Sequence, residues 1–276
     1  MKISEKITQF FKYVFLWIIT LITLIPFLWI WMSSFKSNKE ILTSALALPT
    51  EFSFEGYIDA FNTAPLLNYY MNSIIVVVTS TLLGVFLVGM AAYVIARFDF
   101  KFKNIIFVTL SVSLLLPITA LIYPIYSVIR GLGLYDTRSG LILVNIGLGL
   151  PTTLYILRSY FLSIPKELEE AAYIDGSGFF RTYLSIMIPI AKPGFATAAV
   201  LQFILGWNEF LFALVITDSK RVRTVPLAIN YFLSQFSFDY RALFAAIVII
   251  TIPSIIAFVA LQEQVVDSLA AGSVKG

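Results

Sequence analysis

Six separate stretches of this chain are long and apolar enough to cross the hydrocarbon core of a membrane, and that pattern removes most folds at once. A helix needs about 20 predominantly apolar residues to span about 30 Å. The six run from Tyr13 to Met32, Tyr70 to Ala96, Asn104 to Ile125, Leu141 to Tyr160, Gly194 to Ile216 and Ala242 to Leu261. Backbone N–H and C=O groups in lipid must find partners within the chain, so runs of this length are helices. The sequence predicts an all-α integral membrane protein, with six transmembrane helices in one membrane domain covering 1–276.

Composition agrees. The chain is 59% hydrophobic and 13% charged, with a mean hydropathy of +0.90. Soluble domains sit nearer 45–50% apolar and about 25% charged, so the excess apolar surface must face lipid. There are no cysteines and no histidines. Disulfides, the usual zinc sites and histidine acid–base catalysis are thereby excluded. Net charge is +3 and no run of five like charges occurs, so no nucleic-acid partner is expected. There is neither a GxxxxGK[ST] phosphate loop nor any Gly-Lys pair, and the chain is not expected to bind and hydrolyse ATP in the usual way by itself.

An even number of spans places both termini on one side. With the N-terminus inside, Lys2, Lys6, Lys12, Arg97, Lys101, Lys103, Arg158, Lys166, Arg181, Lys192 and Lys275 are cytoplasmic, and the other eight of the 19 basic residues fall outside. That bias, together with the short Arg97–Lys103 loop, predicts cytoplasmic termini. The Lys220-Arg221-Val222-Arg223 cluster opposes it. The basic N-terminus and the triplet Ala45-Leu46-Ala47 mimic a signal peptide, but the apolar run is too long and the triplet too distant, so an uncleaved first helix is expected. An outside loop covers about 33–69. Its Phe52, Phe54, Tyr57 and Phe61 suggest short packed segments, and a bland loop is equally allowed. A tail covers about 262–276.

The cytoplasmic loop of about 163–192 is too patterned for a connector. Pro165 suits a first helical turn. Glu167, Glu169 and Glu170 oppose the positive end of a helix dipole, and Gly176 ends that helix in the left-handed conformation. A second helical stretch, about Phe179 to Met187, is expected to stop at Pro189, and Pro193 opens the fifth span. The loop reads as two short helices around a glycine hinge.

Within it, Glu170-Ala171-Ala172 is followed after three residues by Gly176, after nine more by Ile186, and after one more by Ile188-Pro189. This spacing resembles the EAA loop of ABC importer permeases, whose pattern is Glu-Ala-Ala, three residues, Gly, nine residues, Ile, one residue, Leu-Pro. Only Ile188 departs, standing for Leu. Asn72-Ser73, Ile174-Asp175-Gly176 and Gly206-Trp207-Asn208-Glu209-Phe210 look like the same family. The C-terminal Ala271-Gly272-Ser273-Val274-Lys275-Gly276 is similar to the tail of the maltose-type sugar permeases, specifically the smaller six-helix partner.

The resemblance implies a type I ABC importer permease fold in a bacterial cytoplasmic membrane. It implies four partners: a second, unlike permease, an ATPase dimer that carries ATP and Mg, an extracytoplasmic sugar-binding protein, and membrane lipid. Glu170, Ala171, Ala172, Asp175 and Gly176 would form a coupling helix docked on the ATPase, with Ile186 and Pro189 completing the loop. Gly272, Lys275 and Gly276 would contact the ATPase through the tail. The family's function is import of a sugar or oligosaccharide. Carriage of another solute such as glycerol phosphate shares the fold. An ion-coupled transporter would need an intramembrane relay, for which Glu209 is the one good candidate. By itself, the pattern of Leu168, Ala171, Ala172 and Asp175 on one helical face suits a groove, while Glu170 paired with Lys166 would be an ordinary solvated carboxylate.

Polar residues at membrane depth are costly and tend to face cavities or polar partners. Glu209 and Asn208 therefore have two open readings: the solute pathway or its outer gate, and a hydrogen-bond network with the partner permease. Asn145 and Gln202 are further pathway candidates, with Thr152 and Thr153 weaker. Trp207 reads either as a sugar platform or as an interface anchor. Pro117, Pro124 and Pro253 should each kink a span.

Overall fold

A computed structural model describes the backbone of residues 3–232 and 239–273, and the side chains of these apart from 3–6, 261 and 263–273. Among the described residues every regular element is helical. In order they are α1 (Ile3–Ser33), α2 (Asn38–Thr43), α3 (Glu55–Thr63), α4 (Leu66–Arg97), α5 (Lys103–Val112), α6 (Ile122–Gly131), α7 (Arg138–Ser163), α8 (Glu167–Ile174), α9 (Phe179–Thr182), α10 (Ile188–Ile190), α11 (Lys192–Trp207), α12 (Leu211–Ile216) and α13 (Tyr240–Ser273). Short 3-10 turns lie between α5 and α6 and at Val225–Tyr231, and a π turn, Tyr183–Met187, joins α9 to α10.

Four of the expected spans are continuous helices: Ile7–Ser33, Leu66–Arg97, Arg138–Ser163 and Tyr240–Ala260. The third and fifth are not. The stretch expected as one helix from Asn104 to Ile125 breaks at Leu116-Pro117, and its halves meet at 110°. Leu116 is extended, with ψ 129°, as the residue before a proline must be to avoid its ring. The fifth expected span ends as a helix at Trp207 and resumes at Leu211. Pro124, expected to kink its span, instead sits in the first turn of α6, where an absent N–H costs nothing. Pro253 lies inside α13, and the helix runs on through it to Ser273. The stretch 262–273, expected as a tail, is thus helical. Gly272 lies in its last turn, while Lys275 and Gly276 lie outside the described residues.

The chain forms two compact units. The first comprises 1–66 and 228–252. None of the most apolar window of α1 is buried, and rings such as Trp17 and Phe27 stand free, as suits a helix whose neighbours are lipid or another chain. The segment after it is built on aromatic packing. Phe35, buried, has the rings of Phe52, Phe54 and Tyr57 within 5.4–5.7 Å, and the Tyr57 and Ser34 hydroxyls are hydrogen-bonded at 2.8 Å. Phe61 stays exposed. The expected outside loop is therefore structured, with α2 and α3 as its short segments. Lys36 is 1% exposed and donates to the carbonyls of Ser44 and Ala45 at 3.2 and 3.0 Å. Glu55 and Asp59, one turn apart on α3, hold the guanidinium of Arg241 at 2.5 Å each. Gly56 lies between them because a Cβ there would come within 2.6 Å of Arg241 Cγ.

The second unit comprises 67–227 and 253–276. Its core gathers Tyr93, Leu157, Phe161, Tyr183 and Met187, all fully buried. The Tyr93 ring stacks on Tyr183 at 5.3 Å and meets Phe161 edge-on at 5.4 Å. Helices α7 and α11 pack closely along their length. Gly194 of α11 lies on the ring of Tyr160, where a Cβ would come within 2.5 Å of Cγ.

Candidate functional site

The second unit has two poles, one at each end of α4, and the residues picked out by sequence gather at both. At the C-terminal pole lies α8. Pro165, expected in its first turn, instead precedes the Lys166 cap and holds Ile164 extended at ψ 132°. Three carboxylates follow, where the free N–H groups of the helix favour negative charge. The helix ends on a left-handed residue: Gly176 has φ +80°. Its N–H donates to the Tyr173 carbonyl at 3.0 Å, and the Ser177 N–H to that of Ala172 at 2.9 Å. These two bonds satisfy carbonyls that a helix end leaves open, and they favour glycine at this position.

The two faces of α8 are sharply different. Glu170, Ala171, Asp175 and Gly176 are exposed, as are Leu168 and Ile174, the latter 86%. Among the described residues no ion pair joins Glu170 to Lys166. Ala172, expected on the outward face with Ala171, is instead buried. It shares the inner face with Glu169, three residues earlier. Glu169 Oε1 lies 2.6 Å from Nε of Arg97, with the two side chains 9% and 4% accessible. A second nitrogen of Arg97 donates to the Ile164 carbonyl at 2.6 Å. Removing one partner of so buried a pair strands the other and costs about 3–5 kcal/mol. Neither residue stands out in the sequence as a site. The signal available was the helical period, which turns Glu169 about 100° away from Glu170 and onto the face of Ala172.

Beyond the glycine, α9 leads into the π turn Tyr183–Met187, whose Tyr183 and Met187 are fully buried. Pro189 does not stop the helix as expected. It lies inside α10, and the chain bends at Ala191, so that Phe179–Ile190 and Lys192–Trp207 meet at 80°. The wider π turn relieves the clash between the proline ring and the carbonyl four residues back. Ile186 is half-buried and Pro189 exposed.

At the other pole Asn72, fully buried, is bonded through every side-chain atom it can use. Its Nδ2 donates to the carbonyls of Arg221 and Arg223 at 2.9 Å each, and its Oδ1 accepts from Arg138 Nε at 2.9 Å. Ser73 Oγ accepts from the Val225 N–H at 2.8 Å. Asn68 Nδ2 donates to the Lys220 carbonyl at 2.7 Å. The Lys220–Arg223 cluster that opposed the charge rule is thus held by its backbone on the first turns of α4. Nearby, Asp136 is in the left-handed region, with φ +54°, and one carboxylate oxygen accepts from the N–H groups of Asp218 and Ser219 at 3.0 Å each.

Most polar groups of the candidate pathway residues are used within the chain, while Asn145 Oδ1 is buried without a hydrogen-bond partner among the described residues. Gln202 of α11 donates to the Asn145 carbonyl of α7 at 2.7 Å, and Asn145 Nδ2 donates to its own Leu141 carbonyl at 2.9 Å. Both side chains are buried. Thr153 Oγ1 lies 3.4 Å from Gln202 Oε1. Asn208, exposed, donates to the Ile204 carbonyl at 2.8 Å. Glu209 accounts for the break in the fifth span: its two oxygens accept from the N–H groups of Phe212 and Ala213 at 2.6 and 2.9 Å. It therefore satisfies the first turn of α12, the role of a capping carboxylate. Trp207 is neither platform nor anchor. It is buried, stacked on Phe203 and edge-on to Tyr70.

Four likenesses to known proteins follow, three of sequence and one of fold. The family described as binding-protein-dependent transport system inner membrane component matches residues 84–270. The chain is 38% identical to the diacetylchitobiose uptake system permease protein NgcG of Streptomyces coelicolor, over 92% of this chain and 85% of that one. It is 35% identical to the trehalose transport system permease protein SugB of Mycobacterium tuberculosis, over 92% and 93% of the two chains. Its fold is that of a chain in a crystal structure of a bacterial ABC transporter that imports the acidic polysaccharide alginate, with TM-score 0.82 and 23% identity over 95% of this chain and 98% of that one.

Proposed function

The chain belongs to the family of binding-protein-dependent transport system inner membrane components, the permeases of ABC transporters, and from that premise we propose that it is one of two unlike permeases of an importer for a sugar or oligosaccharide. The observation that carries the mechanism is the outward face of α8. Glu170, Ala171, Asp175 and Gly176 stand exposed beside the free apolar side chains of Leu168 and Ile174. An eight-residue helix is marginal in water, and this one offers its surface to a groove. A nucleotide-binding ATPase dimer, which holds ATP and Mg, supplies that groove, and Glu170 meets a cation there. Closure of the dimer pulls α8 and drives alternating access.

With the α8 pole cytoplasmic, the Asn72 pole faces the extracytoplasmic binding protein that delivers the solute. Sugar as the solute is supported by relatives named for diacetylchitobiose and trehalose. In this reading Asn145 and Gln202 hold α7 against α11, and Asn208 and Glu209 shape the break that lets α12 turn at the outer end of the pathway. Gly272, at the end of α13, contacts the ATPase, and so do Lys275 and Gly276, which lie outside the described residues.

Purification of the native chain from its own membrane tests this. The expected result is a complex with a second permease and an ATPase, which Glu170→Arg strips of the ATPase alone. A native chain that purifies alone, in membranes whose sugar uptake ignores ATP, overturns the reading. Uptake of glycerol phosphate in place of sugars overturns only the solute.

A further inference from the structure

We infer that α4, which is not adjacent in sequence to the coupling loop, receives the motion of that loop directly, and that Arg97 and Glu169 are the positioning residues that deliver it. This rests on the reading of α8 as the coupling helix.

Covalently, α8 is attached to α7 through Ile164–Lys166 and to α11 through the segment after Gly176. Both attachments begin at a bend: an extended residue before Pro165 on one side, and a left-handed glycine on the other. Such joints let a helix swivel before its neighbours follow. The contact with α4 has no such joint. Arg97 is the last residue of α4, where the partial negative charge of the helix end favours a cation. Its guanidinium reaches Glu169 with Nε and the Ile164 carbonyl with a second nitrogen, both at 2.6 Å. One guanidinium thus meets α8 through a close charge contact that is not aligned as a hydrogen bond, and the start of the loop through a hydrogen bond.

One turn earlier on α4, Tyr93 continues the same contact. Its ring touches Phe161 at the end of α7, Phe179 of α9 and Tyr183 of the π turn, at 5.3–5.5 Å. The last two turns of α4 therefore touch every segment of the loop up to the π turn. The bond from the Tyr183 hydroxyl to the Phe86 carbonyl of α4 is long, at 3.4 Å, and ring contacts can slide past one another. A buried ion pair cannot, because separating it leaves charges that water does not reach. Glu167 and Glu170 face away from this contact and remain free for the ATPase. Glu169 is closed off from it, so its charge serves the interior.

The test is transport per ATP hydrolysed, measured on the whole importer in proteoliposomes, with the native chain, Glu169→Gln, and the exchange Arg97→Glu with Glu169→Arg. Glu169→Gln should keep the ATPase bound and hydrolysing within about two-fold of native, while solute moved per ATP falls at least ten-fold. The exchange should recover only part of that loss, because a carboxylate at 97 restores the charge pair but cannot donate to the Ile164 carbonyl. Glu169→Asp, which keeps the charge on a shorter arm, should lower the ratio two- to five-fold and guards against a Gln variant that fails to insert. A native ratio in Glu169→Gln or Glu169→Asp overturns the inference, as does loss of the ATPase from Glu169→Gln, or an exchange that restores nothing. If the native importer itself moves no solute with ATP, the coupling reading has failed instead.

Discussion

A Cβ on Gly149 would lie 1.4 Å from Oε1 of Gln202. The two residues face each other across the α7–α11 contact, and the glycine is there because the amide occupies the space a side chain would take. Gly149→Ala should therefore force the Gln202 amide off the Asn145 carbonyl. Overpacking of this kind costs about 1–3 kcal/mol, and the broken bond to a buried group adds about 1–3 more. The midpoint of thermal unfolding in detergent should fall clearly. Gly149→Ala with Gln202→Ala should recover part of the loss. No fall in the single variant would mean that α7 and α11 part easily.

Gly176 is the second position where backbone geometry dictates the residue. Proline there would lock φ near −65° against the native +80° and delete the N–H that caps Tyr173. Gly176→Pro should abolish solute uptake while the protein still reaches the membrane at near-native level. Uptake assays beside an immunoblot of membranes check both halves.

The carboxylate of Glu209 accepts two N–H bonds at the start of α12, so an amide should replace it better than a methyl. Glu209→Ala should destabilise by about 1 kcal/mol, the usual cost of a lost cap, and Glu209→Gln by less. The order is read from unfolding midpoints. Equal losses would point to the charge rather than the caps, and would return Glu209 to the solute path.

In the segment after α1, the Glu40 carboxyl is held at about 2, first by the Thr50 hydroxyl, then by the N–H groups of Ser37 and Thr50. The folded value lies below the ordinary 4.5, so its contribution is complete above 4.5 and is lost as pH falls through about 2. Selective carbon labelling of glutamate, followed by a pH titration in detergent, should show one carboxyl with its inflection near 2. Thr50→Val should move that inflection upward. An inflection of the native Glu40 at 4.5 would mean the bonds are absent in solution.

How much of this was readable from the chain depends on how local the cause is. The spans follow from apolar length, and four are continuous helices where that length puts them. The two that break do so for different reasons. At Leu116 the cause is a proline one residue on, a signal visible in sequence. At Asn208 it is a carboxylate that serves the next helix, and a glutamate in an apolar run reads equally well as a solute ligand. The helix and glycine of the coupling loop were readable from Glu167, Glu169, Glu170 and Gly176. The partition between the three carboxylates was not, because Arg97 lies 72 residues before Glu169 and no local rule joins them. Asn72-Ser73 stood out only by likeness, since its partners lie 66 to 152 residues further along the chain.

Helix α4 is knotted at both ends: Asn68, Asn72 and Ser73 tie its first turns to the 220–225 loop, and Arg97 ties its last to the coupling loop. With 32 residues it measures about 48 Å, more than the thickness of the hydrocarbon core. It behaves as a tie-rod across the membrane. Such a rod cannot shift along its axis without dragging both knots, so the motion inferred for the coupling loop would carry through to the 220–225 loop at the far end.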